Sequence, residues 1–149
     1  MSNSATKNNL FSPVSLLVVF LNLLLISCAE TKISQCQKII LLTQKMSEES
    51  ENYRRTEDIK KVLQVADIFE ETSKQMKELK IEDQQLVEFQ MGFADIYQGN
   101  ADTTRQFVAA LNNKDIDTAK LMQQQVQQLG KTEQDLGTKM KNYCQDNLD

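Results

Sequence analysis

Residues 86–111, LVEFQMGFADIYQGNADTTRQFVAAL, decide the fold of this chain. A stripe recurs along the stretch at every third or fourth residue, formed by Leu86, Phe89, Phe93, Ile96, Tyr97, Asn100, Thr103, Phe107 and Leu111. This spacing is typical of one buried face of an α-helix. The residues around Gly99 could end one helix and cap another, but the apolar phase is the same on both sides of Gly99. The pattern therefore predicts one long helix, straight or bent at Gly99.

Two further helical patterns lie upstream. Ser34 and Gln37 fit a capping box that would open the first helix, and Thr56 is the expected N-cap of the second. The first stripe consists of Cys36, Ile39, Ile40, Thr43, Met46, Ser50 and Tyr53, and the second of Ile59, Val62, Leu63, Ala66, Phe69, Ser73, Met76 and Leu79. Each stripe predicts one buried helical face.

A fourth helix is predicted downstream. Residues 112–114 close the long helix, Asp115 or Asp117 opens the next one, and it ends around Cys144. Its stripe is the most regular in the chain: Ala119, Met122, Val126, Leu129, Glu133, Leu136, Met140 and Tyr143. The single proline, Pro13, lies before all four patterns. Four amphipathic helices joined by short loops predict an all-α, up-down-up-down four-helix bundle over residues 34–149.

The N-terminal segment predicts export. An apolar run from Val14 ends in Leu25-Ile26-Ser27-Cys28, which resembles a bacterial lipobox. We therefore expect a signal peptide over residues 1–27, lipid on Cys28, and a tether over residues 28–33. Two alternatives remain open: cleavage after Ala29, or an uncleaved anchor from Leu10 to Ala29. All three place residues 30–149 outside the cytoplasm.

With Cys28 assigned to lipid, two cysteines remain. In an up-down-up-down bundle, the start of the first helix and the end of the fourth lie at the same end of the molecule. Cys36 and Cys144 occupy these two positions. An oxidising compartment permits the bond, so the topology predicts a Cys36–Cys144 disulfide.

The composition disfavours several function classes. The chain has no histidine, which excludes Ser-His-Asp catalysis and His-ligated zinc. The two acidic residues at 115 and 117 faintly resemble a calcium loop, but Lys120 stands where the loop needs glycine. The net charge of −4 disfavours nucleic acid as a partner. We expect no enzymatic activity, no metal and no cofactor.

Polar or small residues interrupt the predicted core stripes at one level of the bundle. Matching the helical turns places Ser50, Asn100 and the Gly130 region at roughly this level, with Glu133 about one turn away. Such a layer could bind a small polar ligand, or it could fix the register of the helices. Gly130 could also form a notch for a ligand or could allow close helix packing.

Residues 36–144 resemble a group of small, uncharacterised helical proteins of cyanobacteria. The resemblance is carried by Cys36-Gln37-Lys38-Ile39-Ile40, by the 59–67 segment IKKVLQVAD, by Leu79-Lys80-Ile81-Glu82-Asp83 and by Tyr143-Cys144. None of these motifs is specific to a chemistry, so the resemblance implies a source and no function.

The expected function is therefore that of a lipid-anchored bundle on the periplasmic or thylakoid-lumen side of a membrane. Its leading role would be to bind a protein partner or to support the envelope or thylakoid. The alternative is a small-ligand carrier or sensor that uses the polar layer.

Overall fold

The computed structural model describes residues 30–51, 53 and 58–145. This part of the chain forms four helices: α1 (Lys32–Glu51), α2 (Ile59–Glu78), α3 (Gln84–Asn112) and α4 (Ile116–Gln145). They pack as the predicted all-α four-helix bundle. Helix α3 is the central element, because it packs along most of its length against both α2 and α4, whereas α1 makes far fewer contacts.

Aspartate side chains begin three of the helices. Asp58, Asp83 and Asp115 each accept a hydrogen bond from a backbone N–H two or three residues later, at 2.9, 2.9 and 3.1 Å. Each bond satisfies one of the amides that a helix leaves unpaired at its start.

Two predicted helix starts need correction. Helix α1 begins at Lys32, because the Thr31 hydroxyl accepts from the Ser34 N–H at 3.2 Å and caps the helix earlier than the predicted Ser34–Gln37 box. The N-cap of α2 is Asp58. The predicted cap, Thr56, lies outside the described residues.

The long helix α3 runs through Gly99 without a break, as the unchanged apolar phase predicts. A Cβ on Gly92 would lie 2.9 Å from Leu136 Cδ2, and one on Gly99 would lie 3.3 Å from Leu129 Cδ2. These glycines are seven residues apart on α3, and the leucines are seven apart on α4. The glycines therefore allow α4 to approach α3 closely at two successive levels.

Helix α1 is shorter than the α3–α4 pair. It begins level with the α2–α3 loop, since the Gln35 side chain accepts from the N–H groups of Glu82 and Asp83. Its 20 residues extend about 30 Å, whereas the 29 residues of α3 extend about 44 Å. Over the remaining ~14 Å, no described part of α1 lies beside α3 and α4. We call the half of the bundle farther from the disulfide the distal half, and the disulfide-bearing end the proximal end.

Helix α4 is less buried than its stripe predicts, because α1 makes few contacts with it. Of its regular stripe, only Ala119, Met122 and Met140 are buried, and Val126 remains 36% exposed. The spacing of apolar residues along a helix shows which face points inward, but it does not show how much of that face the neighbouring helices bury.

Candidate functional site

A cleft of about 580 Å³ lies in the distal half, between α2, α3 and α4, and opens to solvent. Its described lining consists of Tyr53 after α1, of Val62, Val65 and Phe69 from α2, of Asn100, Thr104 and Phe107 from α3, and of Gln123, Val126, Gln127, Gly130 and Glu133 from α4. Most of these residues follow three- and four-residue spacing along their helices. The cleft is therefore lined by the inward faces of α2, α3 and α4, next to the end of α1.

Asn100 is the most deeply placed polar group of the cleft. Its side chain is 4% exposed, and it lies in the lining. In the described part of the chain, no hydrogen bond joins its amide to another residue, although an amide offers two donors and one acceptor. No fully buried side-chain nitrogen or oxygen in this part lacks a partner, so the unpaired polar atoms of Asn100 are open to the cleft. The hydrogen-bonding capacity of Asn100 is thus directed to whatever occupies the cleft.

Glu133 brings a carboxylate to the same lining. Its Oε1 accepts a hydrogen bond from the Tyr97 hydroxyl at 3.1 Å. The Tyr97 ring is fully buried and stacks against Phe69 and Phe93, with centroid distances of 6.1 and 6.2 Å. The packed aromatic rings thereby hold the phenol that orients the Glu133 carboxylate.

Gly130 widens the cleft on the α4 side. No described heavy atom lies within 4 Å of the position that a Cβ would take there. The same is true at Gly137, which is not part of the lining. Gly130 therefore does not serve close helix packing within this part of the structure, and its missing side chain leaves space in the cleft.

The structure places the four residues of the expected polar layer in two environments. Asn100, Gly130 and Glu133 line one cleft. Ser50 is fully buried outside this lining, where its hydroxyl donates to the carbonyl oxygen of Ser47 at 3.2 Å.

The apolar walls of the cleft were not predicted as a site. Phe107 and Val126 were assigned to the core, since their spacing matches a buried stripe. The available signal was the end of the α1 pattern, which turns polar over residues 47–52 while the stripes of α3 and α4 continue. Comparing these lengths would have indicated an uncovered distal half.

The proximal end carries the predicted disulfide. Cys36 and Cys144 are bonded with a Cα–Cα distance of 6.3 Å and a sequence separation of 108 residues. The bond joins the second turn of α1 to the last turn of α4, and so attaches the least packed helix to the rest of the bundle.

A polar clamp at the same end of the bundle holds the α2–α3 loop. From α1, Gln35 accepts from the loop amides of Glu82 and Asp83 at 2.7 and 3.0 Å. From α3, the buried Gln90 donates to the carbonyl oxygens of Met76 and Leu79 at 2.6 and 3.0 Å. Sequence reasoning missed both glutamines, because glutamine on a helix ordinarily indicates an exposed face.

Asp83 is the charged member of the clamp. Its two carboxylate oxygens accept from the Tyr143 hydroxyl at 3.0 and 2.9 Å, and Lys32 lies 3.6 Å from the centre of the Tyr143 ring. Partial burial opposes ionisation, but the hydrogen bonds from the Leu86 N–H and from Tyr143 outweigh it and lower the pKa of Asp83. The same contact raises the pKa of Tyr143. The clamp therefore favours an ionised Asp83.

The predicted lipidation site, Cys28, lies outside the described residues. None of the helices α1 to α4 is long and apolar enough to cross a membrane. Within the same residues, no cluster of three or more His, Cys, Asp or Glu side chains is arranged to hold a metal ion.

Comparison with known protein families, with curated proteins and with solved structures finds no match to this chain.

Proposed function

We propose that this chain is a lipid-anchored, non-enzymatic binding protein on the extracytoplasmic side of a bacterial membrane, and that it binds a small ligand in the distal cleft. The observation that carries the binding role is the cleft itself, which has a volume of about 580 Å³ and the amide of Asn100 in its lining. Small-molecule sites typically have ~300–1,000 Å³ and a few convergent polar groups among apolar walls.

The extracytoplasmic location is supported by two independent features. The lipobox-like stretch ends at Cys28, and a disulfide joins the two other cysteines. Structural disulfides persist in exported proteins and are rare in the reducing cytoplasm. Lipid on Cys28 would use the third cysteine and leave no free thiol in the mature chain.

The cleft favours the carrier or sensor hypothesis over a purely structural one. A bundle that only supports a membrane needs no uncovered apolar surface, and such a surface reduces stability and invites association. Here the half-buried Phe69 and Phe107 and the exposed Val126 all face one opening.

Membrane attachment is tested by comparing the native full chain with Cys28→Ser in the producing bacterium. We expect the native chain to sediment with membranes, to incorporate radiolabelled palmitate and to lose its first 27 residues. Cys28→Ser should lose the label. Equal palmitate labelling and equal mature mass in both chains would refute lipid attachment at this cysteine.

A further inference from the structure

We infer that the ligand of the distal cleft is an uncharged, ring-containing apolar molecule with one hydrogen-bonding group, which pairs with the side-chain amide of Asn100. This inference rests on the proposed ligand-binding function and specifies the chemistry of the ligand. It follows from the apolar walls, from Asn100 and from the uncharged glutamines of the lining.

The apolar lining of the cleft favours a ligand that is mostly apolar and contains a ring. Phe69 on α2 and Phe107 on α3 present aromatic surface to the cleft, and Val65 and Val126 add β-branched side chains. Two aromatic rings in an offset or edge-to-face arrangement stabilise each other by more than the burial of their surface area alone provides. A flat ring between the helices would cover this surface more completely than a hydrated polar molecule could.

Asn100 selects the polar group. Its amide makes no hydrogen bond to a described residue and opens to the cleft, so a ligand that displaces water from the cleft must replace the hydrogen bonds of that water. A carbonyl or hydroxyl group on the ligand can do so. Because the amide is neutral, it does not compensate the cost of desolvating a charged group.

The other polar side chains of the described lining include Gln123 and Gln127, which carry no charge. An uncharged ligand therefore avoids the cost of moving a charge from water to a lining of mostly apolar and neutral groups.

Benzophenone is a suitable probe, because it is uncharged, has two rings and carries one carbonyl acceptor. Under near-ultraviolet light its carbonyl oxygen abstracts a hydrogen atom from a nearby C–H bond. The two resulting carbon radicals then join, which leaves a stable alcohol attached to the protein. Peptide mapping after illumination of membranes that contain the full chain reports the labelled positions. The anionic analogue 4-benzoylbenzoate undergoes the same chemistry and tests the effect of charge.

Helix α4 provides a matched pair of variants. Gly130→Trp fills the cleft, whereas Gly137→Trp places the same side chain two helical turns away, outside the lining. Asn100→Leu removes the amide and keeps the side-chain volume similar. If Asn100→Leu melts at a lower temperature than the native chain, Asn100→Ala provides the same comparison.

We expect saturable benzophenone labelling of the α2 and α4 segments that line the cleft. Gly130→Trp should lower this labelling about tenfold, and Gly137→Trp should leave it within about twofold. Asn100→Leu should raise the half-saturating concentration about three- to tenfold, as expected for the loss of one hydrogen bond. The anionic analogue should label the cleft about tenfold less.

The possible failures are distinguishable. If 4-benzoylbenzoate labels the cleft as well as benzophenone does, the inferred ligand class is wrong and the cleft remains a binding site. If neither probe labels the cleft, or if both tryptophan variants reduce labelling equally, the ligand-binding function falls as well. Unchanged half-saturation in both Asn100 variants would refute the role of the amide.

Discussion

Reduction of the Cys36–Cys144 disulfide should lower the free energy of unfolding of the bundle by about 4–5 kcal/mol. The bond closes a loop with a sequence separation of 108 residues. In the chain-entropy model, a loop of that length restricts the unfolded chain by about 4.8 kcal/mol at 25 °C, and measured losses range over ~2–5 kcal/mol. For a urea m-value of about 2 kcal/mol/M, the unfolding midpoint should fall by about 2 M.

The packing of α1 adds a structural expectation to this number. Helix α1 buries Ile39 and Met46 against the bundle, but it makes fewer contacts than any other helix. Once Cys36 is free, the Gln35 hydrogen bonds and these two side chains must hold it in place. In the reduced protein, the backbone amide hydrogens of α1 should therefore exchange with solvent faster than those of α3, because α1 opens locally without global unfolding.

Urea titration followed by circular dichroism, with and without reductant, measures the first effect. Hydrogen exchange of the same two samples measures the second. The Cys36→Ala/Cys144→Ala double variant controls for effects of the reductant and should match the reduced native chain. A midpoint that changes by less than about 0.3 M would refute the reasoning, because it would mean that the bond does not restrict the unfolded chain.

Three further predictions concern single residues. Gly137→Ala should stabilise the bundle by about 0.5–1 kcal/mol in thermal unfolding, because the added Cβ meets open space in a helix interior; destabilisation would refute this packing assignment. Gln90→Leu should cost about 1–3 kcal/mol in urea unfolding, since it removes the buried donor that the carbonyl oxygens of Met76 and Leu79 share. Gln85→Leu, at an exposed position, is the control. Asp83→Asn should flatten the acid limb of the pH–stability curve. Folding lowers the pKa of Asp83, so its contribution to the free energy of unfolding is present above about pH 4 and is lost as the pH falls through the lower folded pKa. If the free energies of unfolding of the native chain and the variant differ by the same amount from about pH 5 to pH 2, this role is contradicted.

The sequence predicted the architecture because helical period is a local property. The stripe of residues 86–111 is visible without knowing its partners, and so the continuous α3 and the four-helix arrangement were both predicted. The disulfide followed from the same local information, since helix order alone brings Cys36 and Cys144 to one end.

Features that depend on two elements at once were harder to predict. The cap of α1 moved from Ser34 to Thr31 because two suitable hydroxyls compete within one turn. Gln90 is recognised as a buried clamp only when the carbonyl oxygens at the end of α2 are known to lie beside it. The cleft depends on the length of α1 relative to α3, which no single stripe reports. The position of Asn100 could be predicted, but the open space in front of it could not.

The proposed anchor and the cleft together define how a ligand would be reached. With lipid on Cys28, residues 29–31 form the only link before α1 begins at Lys32, and they span ~10 Å when extended. From Asp83 at the proximal end to Asn100 is 17 residues along α3, or about 25 Å. A bundle standing on its proximal end would hold the cleft about 25–35 Å from the membrane surface, beyond the Debye length of ~8 Å. The ligand would then enter from the aqueous phase, so insertion of a flexible ten-residue linker after Glu30 should leave benzophenone labelling of the cleft unchanged. Labelling that falls with the longer tether would instead show that the cleft takes its ligand from the bilayer.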